Sequence, residues 1–78
     1  MEALVLASGP LFPTADELLQ QALSPFVHEV VKMERIDLGG RTIVGLLIRI
    51  DQAHFDAILK ELEEACSGVG LDVAMELL

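Results

Sequence analysis

The sequence predicts an α+β domain in which a four-stranded antiparallel sheet carries two helices on one of its faces. Three observations lead there. Two long, mostly apolar runs, Phe26–Leu38 and Arg41–Asp51, meet at Gly39-Gly40, and paired glycines supply the positive φ angles that a tight two-residue hairpin turn requires. Each arm of the hairpin adjoins a segment whose apolar residues recur with helical spacing. A short apolar run stands near either end of the chain. The order is therefore strand, helix, strand, strand, helix, strand.

The first strand is Glu2–Ala7, with both parities apolar: Leu4 and Leu6 on one side, Ala3, Val5 and Ala7 on the other. Such a two-sided run suits a central strand. Ser8-Gly9-Pro10 ends it. Thr14 and Glu17 have the spacing of a capping box, and Ala15, Leu18, Leu19, Ala22 and Leu23 then form one apolar helical stripe. Ser24-Pro25 stops that helix, because the residue before a proline is driven out of the helical region.

In the hairpin, a two-residue turn sets Leu38 opposite Arg41. One face then carries Val31, Met33, Val44, Leu46, Ile48 and Ile50, the core side. The other pairs Ile36 with Ile43, Glu34 with Gly45, Lys32 with Leu47, Val30 with Arg49 and His28 with Asp51. Asp51 caps a second helix whose stripe is Phe55, Ile58, Leu59, Leu62 and Cys66, with Asp56, Lys60, Glu61, Glu63 and Glu64 in water. Asp56 and Lys60 have the spacing of a favourable i,i+4 pair, and Gly68 stands where a left-handed cap ends a helix. Leu71, Val73, Met75 and Leu77 alternate with Asp72, Ala74 and Glu76, an edge strand with one wet face. Right-handed crossovers place strands one and three in the centre and both helices on one side, a ferredoxin-like βαββαβ sandwich of a single domain, residues 1–78.

A chain of 78 residues is near the lower limit for a core that stands alone. Its 53% hydrophobic content is high for a small monomer, so either the core is dense or some apolar surface covers a partner. The net charge of −8, from 13 acids and 5 bases, argues against nucleic acid and against an anionic membrane surface, both of which need clustered Lys and Arg. Arg and Asp interrupt every apolar run before it could span a bilayer, and the start has no basic segment of a secretory signal. The single Cys66 has no partner for a disulfide within the chain, which suits a reducing compartment. The expected location is cytoplasmic.

The uncovered sheet face needs explaining. Ile36, Ile43, Leu47 and Val30 would lie there, either against a second copy of the chain or beneath the methylene stems of Arg49 and Lys32. The second strand is also an edge that invites pairing. A homodimer is expected, with Ile36, Ile43 and Leu47 at its interface. Motifs for chemistry are absent: no CxxC, no His/Cys ligand cluster, no phosphate loop. No metal or cofactor is implied. His28 reads as a structural partner of Asp51, His54 as a solvated first-turn residue, Glu61–Glu64 as an exposed face, and Cys66 as a buried thiol. Phe12, Phe26 and Phe55 lie off the sheet centre, so no stacking platform for RNA exists.

One segment has site-like features. The loop before the first helix joins a central strand to a helix N-terminus, whose free N–H groups attract carboxylates. Gly9, Pro10, Leu11, Phe12, Pro13 and Thr14 are the candidate ligand-binding residues, and a small amino acid is the candidate ligand. The alternative is a turn stiffened by Pro10 and Pro13, with Leu11 and Phe12 packed on a neighbouring subunit.

Met33-Glu34-Arg35, Gly40 to Ile48 (GRTIVGLLI) and Gly68 to Glu76 (GVGLDVAME) resemble the ACT domain family, most closely the ACT domain at the N-terminus of bacterial phosphoserine phosphatases. The likeness covers nearly the whole chain. It implies small-ligand binding, often of amino acids such as serine, at subunit interfaces near the first strand–helix loop. It also implies pairing side by side or face to face, and regulation of an attached enzyme. The phosphatase's own catalytic domain would lie C-terminal to such a domain and is not in this chain, so the chain itself is expected to be inactive. The family's loop usually carries an aspartate and, three residues on, a glycine. Here Leu11 stands near the first position and Thr14 near the second, while Gly9 and Pro13 match. Thr14 puts a β-branched side chain where the family prefers none, which blocks or reshapes the pocket. The expected function is a dimerising regulatory domain tied to serine biosynthesis that binds a small amino acid, or, alternatively, a purely structural dimerisation module. A stand-alone enzyme of acylphosphatase-like shape would need an Arg and an Asn in the first loop, which has neither.

Overall fold

The computed structural model describes residues 1–78. Its elements are β1 (Glu2–Pro10), α1 (Ala15–Leu23), β2 (Glu29–Leu38), β3 (Arg41–Arg49), a 3-10 turn (Gln52–His54), α2 (Phe55–Ser67) and β4 (Asp72–Leu77). The strands form one sheet in the order β2-β3-β1-β4, every neighbour antiparallel. α1 and α2 pack against each other and lie over β3 and β4 on one face. The expected layering, strand order and central strands are all present.

The core lies between the helices and the two central strands. Ala3, Val5 and Ala7 from β1 and Val44, Leu46 and Ile48 from β3 meet Leu19 and Leu23 of α1 and Ile58, Leu62 and Cys66 of α2. Burying each large aliphatic side chain contributes about 1.5–3 kcal/mol. The stripes that formed these helices by periodicity are the stripes that the sheet buries.

Register in the hairpin follows the expectation from Leu38 opposite Arg41 through Ile36 opposite Ile43 to Lys32 opposite Leu47. A β-bulge between Val30 and Lys32 then shifts it, so that Val30 opposes Ile48 and Glu29 opposes Arg49. Because side chains alternate with period two, the extra residue moves Val30 to the helix side and gives its expected place to Glu29. His28 loses its expected partner as well. Its Nδ1 lies 2.8 Å from the Phe26 carbonyl oxygen, while Asp51 accepts from the Ala53 N–H at 2.9 Å and caps the 3-10 turn that leads into α2.

Other boundaries also move. β1 runs through Ser8-Gly9-Pro10 instead of stopping there. Thr14 has φ −108° and ψ 27° and makes no side-chain cap, since only an extended residue can turn its hydroxyl onto the next turn's N–H groups. Gly68 is right-handed, with φ −66°, and the left-handed position falls on Gly70, at φ 77°. Leu71 N–H then bonds to the Cys66 carbonyl at 3.0 Å. Asp56 and Lys60 form no ion pair. Val31 and Met33, expected in the core, stay 40% and 38% exposed, because β2 is an edge strand that projects beyond the helix layer. No helix is long and apolar enough to cross a membrane.

Gly9 is buried where β1 meets the turn before β4. A Cβ there would stand 2.7 Å from both the Gly70 carbonyl oxygen and Leu71 Cδ2. Gly9→Ala is expected to lower stability by about 2 kcal/mol, the cost of overpacking a rigid site. Gly68→Ala, which meets only the Ala65 carbonyl oxygen at 3.8 Å, should leave the urea midpoint almost unchanged. Equal midpoints for the two variants would contradict this packing.

Candidate functional site

The residues expected to bind a ligand lie in a loop that β2 and β3 tie down from one side. Leu11 N–H donates to the Gly40 carbonyl at 2.9 Å, and Phe12 N–H donates to Thr42 Oγ1 at 2.9 Å. The buried Thr42 hydroxyl donates in turn to Asp37 Oδ1 at 3.2 Å. Arg35 completes the network. Its Nη1 donates to the Pro13 carbonyl at 2.6 Å and to Asp16 Oδ1 at 3.2 Å, its Nη2 to the Phe12 carbonyl at 2.9 Å, and its Nε to Asp37 Oδ1 at 3.2 Å. The Arg35 side chain is only 20% exposed, and bonds from a guanidinium to carbonyl and carboxylate oxygens in such a site are strong ones.

This network fastens the loop that leads into α1 and accepts from none of the helix's own N–H groups. Asp16 and Glu17 in the first turn complement the helix dipole, and Arg35 neutralises Asp16. Gly9 is buried, and the half-buried Phe12 packs against its own core. Pro10, Leu11, Pro13 and Thr14 remain exposed on the outer side. No residue of Gly9–Thr14 lines any of the surface cavities, so the loop brings its exposed residues together on a ridge.

The uncovered sheet face is the second feature. Registered rows cross it: Ile36, Ile43, Ser8, Asp72; then Glu34, Gly45, Leu6, Ala74; then Lys32, Leu47, Leu4, Glu76; then Glu29, Arg49, Glu2. Ile36, Leu6 and Ile43 are 53%, 48% and 40% exposed, and Leu4 and Leu47 are half-buried. The expected interface residues Ile36, Ile43 and Leu47 thus share one face, and Leu4 and Leu6 extend it. The charged heads of Lys32 and Arg49 are engaged by acids, and Lys32 borders the groove beside Leu4, Leu6 and Leu47. Lys32 stands in water against Glu34 at 3.1 Å, and Arg49 is held at one end by Glu2 at 3.4 Å and Glu29 at 3.2 Å. Three shallow grooves cross the face, of about 340 Å³ beside Leu6 and Ile43, about 290 Å³ beside Leu4, Leu6 and Glu76, and about 250 Å³ beside Leu4, Leu6 and Leu47.

At the opposite end of the domain, Val27, His28, Glu29, Arg49, Asp51 and His54 line an open cleft of about 480 Å³. No His, Cys, Asp and Glu side chains gather there or elsewhere into a set that could hold a metal ion. Cys66 is buried, and loss of solvation pushes its thiol pKa up from 9.0.

Arg35, Asp37 and Thr42 were not among the expected site residues. Their signal was a charged or hydroxyl side chain on core parity within apolar runs. Strand periodicity marks Leu4 and Leu6 only as the second parity of a central strand.

No family model matches the chain, and no curated protein does. Solved structures match it closely in shape. A formyltetrahydrofolate deformylase from Pseudomonas putida KT2440 superposes on 100% of the chain with a TM-score of 0.83 at 15% identity, and the chain spans 29% of that enzyme's length. An ACT domain protein from Streptococcus pneumoniae superposes on 97% of the chain, which spans 88% of that protein, at a TM-score of 0.83 and 10% identity. The regulatory subunit of aspartate kinase from Thermus thermophilus, ligand-free, superposes on 97% of the chain, which spans 50% of that subunit, at a TM-score of 0.77 and 17% identity. The fold is that of solved ACT domains.

Arg35→Gln is expected to cost about 2 kcal/mol, the scale of charged hydrogen bonds lost from a half-buried site. Amide exchange at Leu11 and Phe12 should accelerate more than in α2, and uniform acceleration would deny Arg35 its hold on the loop. The Cys66 thiol titrates above its ordinary value when folded, so its contribution is complete below pH 9 and fades as pH rises through the raised value. A Cys66→Val variant should lack that alkaline loss in urea titrations, and an identical loss in the variant would exclude the thiol as its source.

Proposed function

We propose that the chain is a regulatory domain of the ACT type, which pairs with a second copy through its uncovered sheet face and takes a small amino acid beside the Leu11–Thr14 loop. The observation that carries the reading is the apolar stripe of Leu4, Leu6, Ile36, Ile43 and Leu47, which neither helix covers. At about 25 cal/mol per Å², covering it is worth several kcal/mol. The loop is fastened from the helix side of the hairpin, opposite the stripe, so ligand binding and face pairing are tested separately. The solved aspartate kinase subunit, described as regulatory, supports the same role.

The finer assignment follows the resemblance described above. It makes this a regulatory part of phosphoserine phosphatase in cytoplasmic serine biosynthesis, with catalysis left to another domain and serine the first ligand to test. A specific observation favours a second reading, a structural pairing module without ligand. Arg35 already occupies the Phe12 and Pro13 carbonyls, and Thr14 stands where a glycine would give a ligand room.

Calorimetric titration with serine and a panel of small amino acids separates the two. Heat at low ligand excess, abolished in Thr14→Arg, supports sensing, whereas a flat response across the panel supports the structural module. Pairing is tested on its own. Ile43→Glu should raise the dimer dissociation constant at least about a hundredfold in sedimentation equilibrium, because an unpaired carboxylate in a closed interface costs about 3 kcal/mol. An unchanged profile would move the interface to the β2 edge or remove it.

A further inference from the structure

The uncovered face is self-complementary about an axis along its strands. Lys32, Leu47, Leu4 and Glu76 form a single row across the four strands, a cation at one end, an acid at the other and two leucines between. The next row places Gly45 beside Leu6, and no side chain fills the space above Gly45, where a Cβ would meet only Leu6 Cδ2. A further row sets Arg49 beside Glu2.

A two-fold axis running along the strands between β1 and β3 turns each of these rows over onto itself. Lys32 then faces the partner's Glu76, Leu47 faces the partner's Leu4, Leu6 enters the hollow over the partner's Gly45, and Arg49 faces the partner's Glu2. An axis across the strands either sets Lys32 on Lys32 and Glu76 on Glu76, or pairs Lys32 with the partner's Glu34 while leaving Glu76 over Ala74 and Arg49 over Ile43. Only the axis along the strands gives Lys32, Glu76, Arg49 and Glu2 all an opposite charge. Towards the hairpin the fit is looser, with Ile43 over Ser8 and Ile36 over Asp72, so the contact is centred on the two leucine-bearing rows. Lys32 has its side chain 68% exposed and is free to turn towards a second acid.

We infer that the occupant of this face is a second copy of the chain, packed face to face about an axis parallel to the strands, with Lys32 of each copy paired to Glu76 of the other. This rests on the pairing proposed above and adds its geometry. Opposed charges of this kind select orientation more than they add affinity.

The test is a reciprocal charge exchange on the full chain, read by sedimentation equilibrium and native mass spectrometry. Lys32→Glu alone and Glu76→Lys alone should each weaken self-association by about tenfold, because like charges then meet. Mixing the two variants should restore association as a heterodimer to within about threefold of the unaltered chain, since each interface regains one cation and one acid. Glu63→Lys on the exposed face of α2 makes the same charge change as Glu76→Lys and should not weaken pairing. If Glu76→Lys pairs as tightly as the unaltered chain, or the mixture stays as weak as its components, this geometry is wrong while face pairing stands. An unaltered chain that is monomeric throughout overturns both.

Discussion

β1 is nine residues held between two hydrogen-bonded neighbours, and every side chain on it must face either the helices or the far side of the sheet. That constraint governs the rest. Ala3, Val5 and Ala7 take the helix side, where they join Leu19, Ile58 and Leu62 in one buried core. The opposite parity is then fixed as Leu4, Leu6 and Ser8, and two short helices have no means of covering it. An apolar second parity is costly in water for a monomer, and it is the natural complement of a sheet that meets another sheet.

The loop before α1 is settled by a similar competition. A helix N-terminus usually satisfies its exposed N–H groups with a capping side chain. Here Thr14 does not cap, and the loop is instead fastened through its carbonyls by Arg35 and through the Phe12 N–H by Thr42. The fastening residues alternate along β2 and β3 with Ile36 and Ile43, which face the other way. A shift of the loop therefore strains the same stretch of hairpin that presents the apolar stripe. This is a physical route by which events at the loop and on the sheet face can influence one another.

Periodicity made the layers legible, because helical stripes and alternating strands each report one buried face. It also placed Ile36, Ile43 and Leu47 on a common open face. The bulge at Val31 could not be read, since it leaves the local pattern of Val30 and Val31 apolar on either register, and with it went the His28–Asp51 pairing. The cap at Thr14 failed for a different reason: spacing reports which residues could bond, while φ and ψ decide whether they do. Arg35 was hidden by its apparent place among solvated charges, although its parity matched Met33 and the core. A charged residue on core parity is a polar group that must find partners, and here they are loop carbonyls.

Charge distribution bears on association. Each chain carries −8, so two copies repel at long range, with screening over about 8 Å at physiological ionic strength. Much of that charge sits on the helices, where Glu17, Asp56, Glu61, Glu63 and Glu64 point away from the sheet. Lys32, Arg41 and Arg49 all lie on the uncovered face, interleaved there with Glu2, Glu29, Glu34, Asp72 and Glu76 by the strand registers. The approach of two such faces is opposed by net charge and favoured by its local arrangement. Raising the salt shortens the range of the repulsion and touches close, water-excluded charge pairs least.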